Sequence, residues 1–214
     1  SQNARAKILE DINLPKIPIF NLEKSKSLPI PNDKVHQGAI LKVSPLKQPN
    51  DIDDIGNSNQ PKIIVILDKV SDPQNVGAII RSSLFFNCNV IINTLNGGSS
   101  ENGSLVKAAS GAFEQVRYLQ VVNVTQTIVK LKKFGYIIIG LDENSVEKIS
   151  AFKKENKHIA IIFGAEGKGI RRLTKDHCDM LLSIDGNHKF SSLNVSTAVG
   201  ITLFSLQSHR FIRV

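Results

Sequence analysis

Apolar runs of strand length alternate with helix-forming segments along most of the chain, and this alternation constrains the fold more than any other feature. The run KIIVIL (62–67) has no polar residue after its lysine, which predicts a strand buried on both faces, as in parallel sheets. Helical segments separate it from further strand-like runs at 89–93, 116–122, 136–141, 158–164 and 180–184. Strands that alternate with helices predict an α/β domain with a mostly parallel sheet and helices on both faces.

The chain before this domain differs from it in composition. Residues 1–46 contain one helix-like and two strand-like segments, too few for a domain, and we interpret them as part of one. Residues 47–61 are polar, contain Pro and Gly and lack periodicity, which predicts a flexible linker. The α/β domain is therefore expected over residues 62–214.

Charge and composition narrow the classes of partner. Lys and Arg outnumber Asp and Glu by 27 to 19, and the net charge of +8 favours a polyanion such as nucleic acid, although it equally serves solubility. Because Trp is absent and Tyr scarce, the chain has few of the aromatic side chains on which single-stranded nucleic-acid bases stack. Cys88 and Cys178 share no metal-ligand spacing, so no metal site or disulfide framework is expected. No apolar run reaches membrane-spanning length, so no membrane partner is expected.

The first stretch whose residue types are not required by packing in a hydrophobic core follows the strand 62–67. Asp72 and Pro73 are typical of a helix start. Asn75 falls in the first turn, where free N–H groups favour an anion, and Gly77 would let a ligand approach the helix. Arg81 lies beside the buried face of the same helix. For the stretch taken alone, a capped helix with a surface arginine is the favoured interpretation.

Two later stretches also place polar residues after strands. GAEGKG (164–169) has the spacing of neither a Walker loop nor a dinucleotide motif, and predicts a tight turn that presents Glu166 among glycines. In SSLNVS (191–196), Ser191 or Ser192 is predicted to cap the last helix, with Asn194 in its first turn. A plain turn and ordinary capping remain the alternatives. His188 is interpreted as a solvent-exposed loop residue.

Together and in this order, these stretches resemble the motifs of the SpoU (TrmH) class of the SPOUT superfamily. The matching patterns are D-P-x-N-x-G-x-x-x-R (72–81), G-x-E-G-x-G (164–169) and S-L-N-V-S (192–196), within a resemblance over about 62–212. It implies 2′-O-methylation of an RNA ribose with S-adenosyl-L-methionine (AdoMet), a deep trefoil knot near the C-terminus, and a homodimer. Residues 1–46 resemble the second half of the family's L30e-like RNA-binding domain.

Within the family, the chain resembles the yeast enzymes that methylate a guanosine of mitochondrial large-subunit ribosomal RNA. This implies ribosomal RNA as the substrate and a mitochondrial location. The closing helix, 193–209, carries more apolar surface than is needed to pack one face against its own subunit. It is therefore predicted to form part of the dimer contact. The residues that supply this surface are Val195, Ala198, Val199, Thr202, Leu203 and Leu206.

The resemblance also assigns site residues. The matched positions are Asn75 and Arg81 as the catalytic pair, Gly140, Leu141, Gly164, Ile184 and Leu193 around AdoMet, and Glu166, Ser192 and Asn194 at the substrate. Two positions depart from the family pattern, since Asp185 stands where Pro is usual and His188 where Gly is usual. No metal ligand is implied.

Two other functions fit the same fold. A non-catalytic RNA-binding or ribosome-assembly module would not need Asn75, Arg81, Glu166 and Asn194 together. A methyltransferase acting on a guanine nitrogen would be expected to lack the S-L-N-V-S motif and to use an acidic base. The sequence therefore favours the ribose methyltransferase.

Overall fold

The computed structural model describes residues 44, 46–49, 51–56, 63–153, 157–186 and 193–208. The chain divides into two compact units, Ser1–Pro45 and Leu46–Val214. Nearly all of the first unit lies outside the described residues, so the interpretation of residues 1–46 stays a prediction. The end of the linker at residue 61 also stays a prediction, because that residue lies outside the described part of the chain.

A six-stranded sheet forms the centre of the second unit, and all of its strand pairs are parallel. Its strands are β1 (Ile63–Asp68), β2 (Val90–Thr94), β3 (Arg117–Val121), β4 (Tyr136–Leu141), β5 (His158–Gly164) and β6 (Met180–Leu182). Their order across the sheet is β3-β2-β1-β5-β4-β6. The predicted mostly parallel α/β sheet is confirmed.

Helices connect the strands. They are α1 (Asp53–Gly56), α2 (Pro73–Phe85), α3 (Gly103–Ala109), α4 (Val124–Lys133), α5 (Arg172–Asp176) and α6 (Val195–Ser208), with 3₁₀ turns at Phe113–Gln115 and Ile149–Ala151. Helix α1 lies in the segment predicted to be a flexible linker, and Ile52, directly before it, and Ile55, within it, are only 4% and 1% exposed. The expectation of flexibility is therefore wrong for residues 51–56, because these two side chains are buried in the core.

The sheet is covered on both faces. Val65 and Leu67 of β1 belong to a buried cluster that includes residues of α2, α3 and α6. Ile64 and Ile66 belong to a second cluster, which includes residues of α4 and the isoleucines around α1. All six residues of β1 are buried, as the continuous apolar run predicted. Each such side chain contributes roughly 1.5–3 kcal/mol of hydrophobic free energy.

The strand order reverses between β1 and β5. From β1 the chain adds β2 and β3 on one side, and the later strands lie on the other side, with β5 next to β1. Asp68 and Gly164 are partners in register, so the carboxyl ends of these two strands lie side by side. Open parallel sheets bind ligands at such a reversal. The first and second motifs therefore begin where this fold class places ligands, and the strand order leaves the predicted knot untested.

Candidate active site

The start of α2 places the first motif at the carboxyl end of β1. The carboxylate of Asp72 accepts a hydrogen bond from the backbone N–H of Gln74 at 3.0 Å, and Pro73 is the first helical residue. The predicted cap is confirmed. Because Val76 and Ile79 of the next turns are buried, the helix is held with Asn75 in its first turn at the sheet edge.

One residue from each motif meets in a single polar cluster, which we call the three-motif cluster: Asn75, Glu166 and Asn194. The Nδ2 group of Asn75 donates to Oε1 of Glu166 at 3.1 Å. The Nδ2 group of Asn194 donates to the same oxygen at 2.7 Å and to Oδ1 of Asn75 at 2.9 Å. Asn75 is half-buried, while Glu166 and Asn194 are exposed, so a ligand in solvent can reach the cluster.

Asn194 is fixed in this cluster because it also caps α6. Its Oδ1 accepts from the backbone N–H of Ser196 at 2.9 Å, and its carbonyl oxygen accepts from the N–H of Ala198 at 3.0 Å. The amide nitrogen is thereby left to donate to the cluster. The prediction that Ser191 or Ser192 caps this helix, with Asn194 inside the first turn, is wrong, since Asn194 itself is the cap. The substrate role of Ser192 stays a prediction because Ser192, like His188, lies outside the described residues.

Arg81 stands apart from the three-motif cluster. It follows Asn75 along α2 by about 9 Å of helix rise, and its side chain is exposed. In the part of the chain that the structure describes, its guanidinium makes no hydrogen bond or ion pair. The predicted catalytic residues are therefore not bonded to each other, and Arg81 keeps its donors for a ligand.

Gly77 serves helix packing and not ligand approach. It is buried, and a Cβ atom there would lie 2.4 Å from Cβ of Ala108 and 2.7 Å from the carbonyl oxygen of Leu105. Both residues belong to α3. The expectation that Gly77 opens α2 to a ligand is therefore wrong, because α3 occupies that space.

Four of the five residues predicted to surround AdoMet lie at or just beyond neighbouring strand ends. Gly140 and Leu141 close β4 and pair with Leu181 and Leu182 of β6, and Ile184 lies just beyond β6. Gly164 closes β5 on the other side of β4. Leu193, directly before the capping asparagine, is 47% exposed, while Leu141 and Ile184 are half-buried. These apolar side chains and strand-end backbone groups fit an adenosine; that they bind AdoMet stays a prediction.

Close approaches of the chain to itself explain the glycines of this region. A Cβ atom on Gly164 would lie 1.9 Å from the carbonyl carbon of Gly169, and one on Gly140 would lie 2.7 Å from Cδ2 of Leu181. The turn after β5 closes through the N–H of Gly169, which donates to the carbonyl of Ala165 at 2.8 Å. It needs positive φ angles at Gly167 (74°) and Gly169 (63°), which glycine adopts without strain.

Asp68 holds the far end of this loop, a role that the sequence analysis did not predict. Its carboxylate, at the end of β1, accepts from Nε of Arg171 at 2.8 Å and lies 2.7 Å from Nη2 of the same guanidinium. It also accepts from Oγ1 of Thr174 at 3.0 Å. A charge 1% exposed needs such partners, because burial without them costs several kcal/mol. The only available signal was an acidic residue at the end of an apolar run.

A second ion pair fixes α5 against the end of β4. Nζ of Lys175 donates to Asp142, which follows β4, at 2.5 Å. Burial raises the pKa of Asp142, but the hydrogen bonds from Lys175 and Asn144, together with the charge of Lys175, outweigh burial and keep the pKa below its usual value. Helix α5 is therefore tied to two strand ends, at β1 and β4.

The site has the groups to orient hydroxyls and phosphates. Glu166 supplies an acceptor, the asparagines supply amide groups, and Arg81 supplies a cation. Across the described ranges, no three or more His, Cys, Asp or Glu side chains are grouped as a metal ion would need. No helix in those ranges is both long and apolar enough to cross a membrane.

Comparison with known proteins identifies the family. Residues 62–204 match the SpoU rRNA Methylase family. An uncharacterized tRNA/rRNA methyltransferase of Borreliella burgdorferi is 32% identical over 200 residues, which are 89% of this chain and 87% of the relative. The 23S rRNA (guanosine-2′-O-)-methyltransferase RlmB of Escherichia coli K12 is 37% identical over 178 residues, 82% of this chain and 73% of the relative.

A solved structure shares the fold. The SpoU methyltransferase AviRb from Streptomyces viridochromogenes, in complex with the cofactor AdoMet, superposes with a TM-score of 0.68 at 21% identity. The match covers 76% of this chain and 66% of AviRb, so this chain spans slightly less than two thirds of that structure. The family match and the curated relatives confirm the prediction made from the three motifs: the chain belongs to the SpoU rRNA methylase family.

Proposed function

We propose that the protein transfers the methyl group of AdoMet to the 2′-hydroxyl of a ribose in ribosomal RNA, and that this ribose belongs to a guanosine of the large-subunit RNA. The observation that carries the proposal is the three-motif cluster, which joins Asn75, Glu166 and Asn194 at the reversal of strand order. The guanosine is supported by the RlmB relative, which is a 23S rRNA guanosine-2′-O-methyltransferase. Family membership supports the methyltransferase class.

The residues present suit this reaction. When bound, AdoMet supplies an activated methyl group, so the protein needs to align the ribose oxygen and stabilise its developing charge. A ribose hydroxyl is a very weak acid, so a side chain that titrates near neutral pH would be a poorly matched base. The three-motif cluster offers the ribose hydroxyls both donors and an acceptor, while Arg81 binds the adjacent phosphate and stabilises the alkoxide. Because Arg81 holds its own proton tightly, the hydroxyl proton leaves late, to water.

Methyl transfer to an unmodified transcript of large-subunit ribosomal RNA tests the proposal. Radiolabelled AdoMet is expected to label the RNA, and mapping is expected to find a ribose 2′-O-methyl group on a guanosine. Calorimetry in the presence of a chelator is expected to detect AdoMet binding without RNA or divalent metal. Label on a base would contradict the ribose mechanism, and AdoMet binding without any transfer would favour a non-catalytic module.

We also propose a homodimer, with a contact surface different from the one expected from the sequence. The six residues predicted to supply it are at most 9% exposed, because they face the core of their own subunit. Phe85 at the end of α2 and Phe204 of α6 are 80% and 58% exposed, and both pack edge-on against Phe86. This aromatic surface is of the kind that associates. Light scattering is expected to report a dimer, and Phe204→Asp a monomer; a wild-type monomer at micromolar concentration would contradict the proposal.

A mitochondrial location is proposed on the resemblance to the yeast enzymes. Imaging of the tagged full-length protein in yeast cells tests it, and a tag confined to the cytosol or nucleus would contradict it.

A further inference from the structure

A groove lies at the carboxyl edge of the sheet on the opposite face from α2. Its volume is about 350 Å³. Val122, Asn123 and Thr125, at the start of α4, form one side, and residues 171–174, at the start of α5, form the other. The proposed reaction assigns no role to any of these residues.

Arg171 is held in this groove in one orientation. Its Nε and Nη2 groups contact the buried carboxylate of Asp68, at 2.8 and 2.7 Å. The side chain of Arg171 is nevertheless 45% exposed, and among the described residues its Nη1 group has no partner. A guanidinium fixed along one edge presents the other edge to a ligand without losing further side-chain entropy.

The remaining lining suits a nucleotide better than a small anion. Arg172 is 94% exposed, and its one ion pair, to Asp176, is 4.0 Å long. Val122 and Leu173 are 70% and 69% exposed and offer apolar surface to a ribose or the face of a base. Two guanidinium groups beside apolar and amide surface are the contacts with which proteins hold an RNA strand by its backbone.

The groove is joined to the three-motif cluster by a single loop. Glu166 of this loop accepts a hydrogen bond from Asn75 of α2, on one face of the sheet. Ile170 of the same loop is buried in the hydrophobic cluster that includes residues of α4, on the other face. The loop therefore passes over the carboxyl end of β1, with Glu166 near its start and Arg171 at its end. An RNA strand whose target ribose lies at Glu166 can therefore follow this loop into the groove.

We propose that this groove binds a further backbone phosphate of the substrate RNA, next along the RNA strand from the phosphate assigned to Arg81, through Arg171 and Arg172. The inference rests on the proposed function, because it takes RNA as the substrate. Arg171 is the fixed donor and Arg172 the adaptable one. Neither residue touches the reacting atoms, so both are positioning residues for the RNA.

Arg172→Met is the decisive variant, since its exposed side chain can be changed without disturbing Asp68. Lys133→Met is the matched control, because it removes one exposed charge at the other end of α4, about 15 Å of helix rise away. Filter binding to an unmodified transcript of large-subunit ribosomal RNA is measured at several salt concentrations, with AdoMet calorimetry on each protein.

Arg172→Met is expected to weaken RNA binding about tenfold and to reduce the salt slope by about one. AdoMet affinity is expected to be unchanged, KM for RNA raised, and single-turnover transfer at saturating RNA nearly unchanged. Arg171→Lys is expected to weaken RNA binding as well, because a point charge cannot serve Asp68 and a phosphate together. If Arg172→Met bound RNA like Lys133→Met, the groove proposal would be wrong while the proposed function stood. If the wild type labelled no RNA and bound none, both would fail.

Discussion

Replacing Arg81 by Ala separates the catalytic interpretation from the structural one. The side chain is exposed and has no hydrogen bond or ion pair among the described residues, so truncation should change the free energy of unfolding by no more than about 0.5 kcal/mol. AdoMet affinity should also be unchanged, because none of the predicted cofactor residues lies on α2, the helix that carries Arg81. Methyl transfer should fall at least about a hundredfold, or roughly 2.7 kcal/mol of transition-state stabilisation, the scale for losing one charged donor.

Thermal melting, AdoMet calorimetry and single-turnover methylation measure the three quantities on the same samples. Arg81→Lys should recover little activity, because an ammonium group cannot reproduce the planar pair of donors. Lys133→Ala is the control for lost charge and should keep normal transfer. A variant of Arg81 that melts much earlier and still turns over would refute this reasoning and make Arg81 a structural residue.

Three further outcomes are expected. Gly164→Ala should destabilise the fold by about 1–3 kcal/mol and abolish AdoMet binding in calorimetry, because the new Cβ atom would lie 1.9 Å from Gly169. Gly77→Ala should lower the melting temperature through its contact with α3, but leave AdoMet affinity intact in the folded protein. Lys175→Met should lower the free energy of unfolding at neutral pH and make that free energy depend less on pH in acid. The reason is that the lowered pKa of Asp142 gives stabilisation that is present above pH 3.8 and lost below it. Urea unfolding at a series of pH values measures both effects.

The sheet was predictable because its signal is local. Continuous apolar runs can be buried only where both faces of a strand are covered, and the predicted limits 136–141 and 158–164 are those of β4 and β5. The strand order was not predictable in this way, since it depends on contacts between β1 and β5, whose paired residues, such as Ile63 and Ile159, are 96 positions apart in sequence. Family resemblance supplied what periodicity could not.

The elements that were missed depend on distant partners. Helix α5 spans five residues, too few to show helical periodicity, and it is held by Asp68 and Asp142. The role of Asp68 rests on Arg171, 103 residues later in the chain. Gly77 shows the same limit, since a sequence cannot tell whether the space beside a glycine holds a ligand or another helix.

The types of residue at the site were predicted, but the pattern of bonds between them has a consequence that the motifs alone did not indicate. Both hydrogen bonds to Oε1 of Glu166 come from neutral carboxamides, at 3.1 and 2.7 Å, so this oxygen is bonded without a cation. Arg81, on the same helix as Asn75, therefore has no carboxylate partner among the described residues. Had Arg81 paired with Glu166, the two charges would have cancelled, and an RNA phosphate would have had to displace a carboxylate to bind. By binding Glu166, the two asparagines leave the arginine available to the RNA.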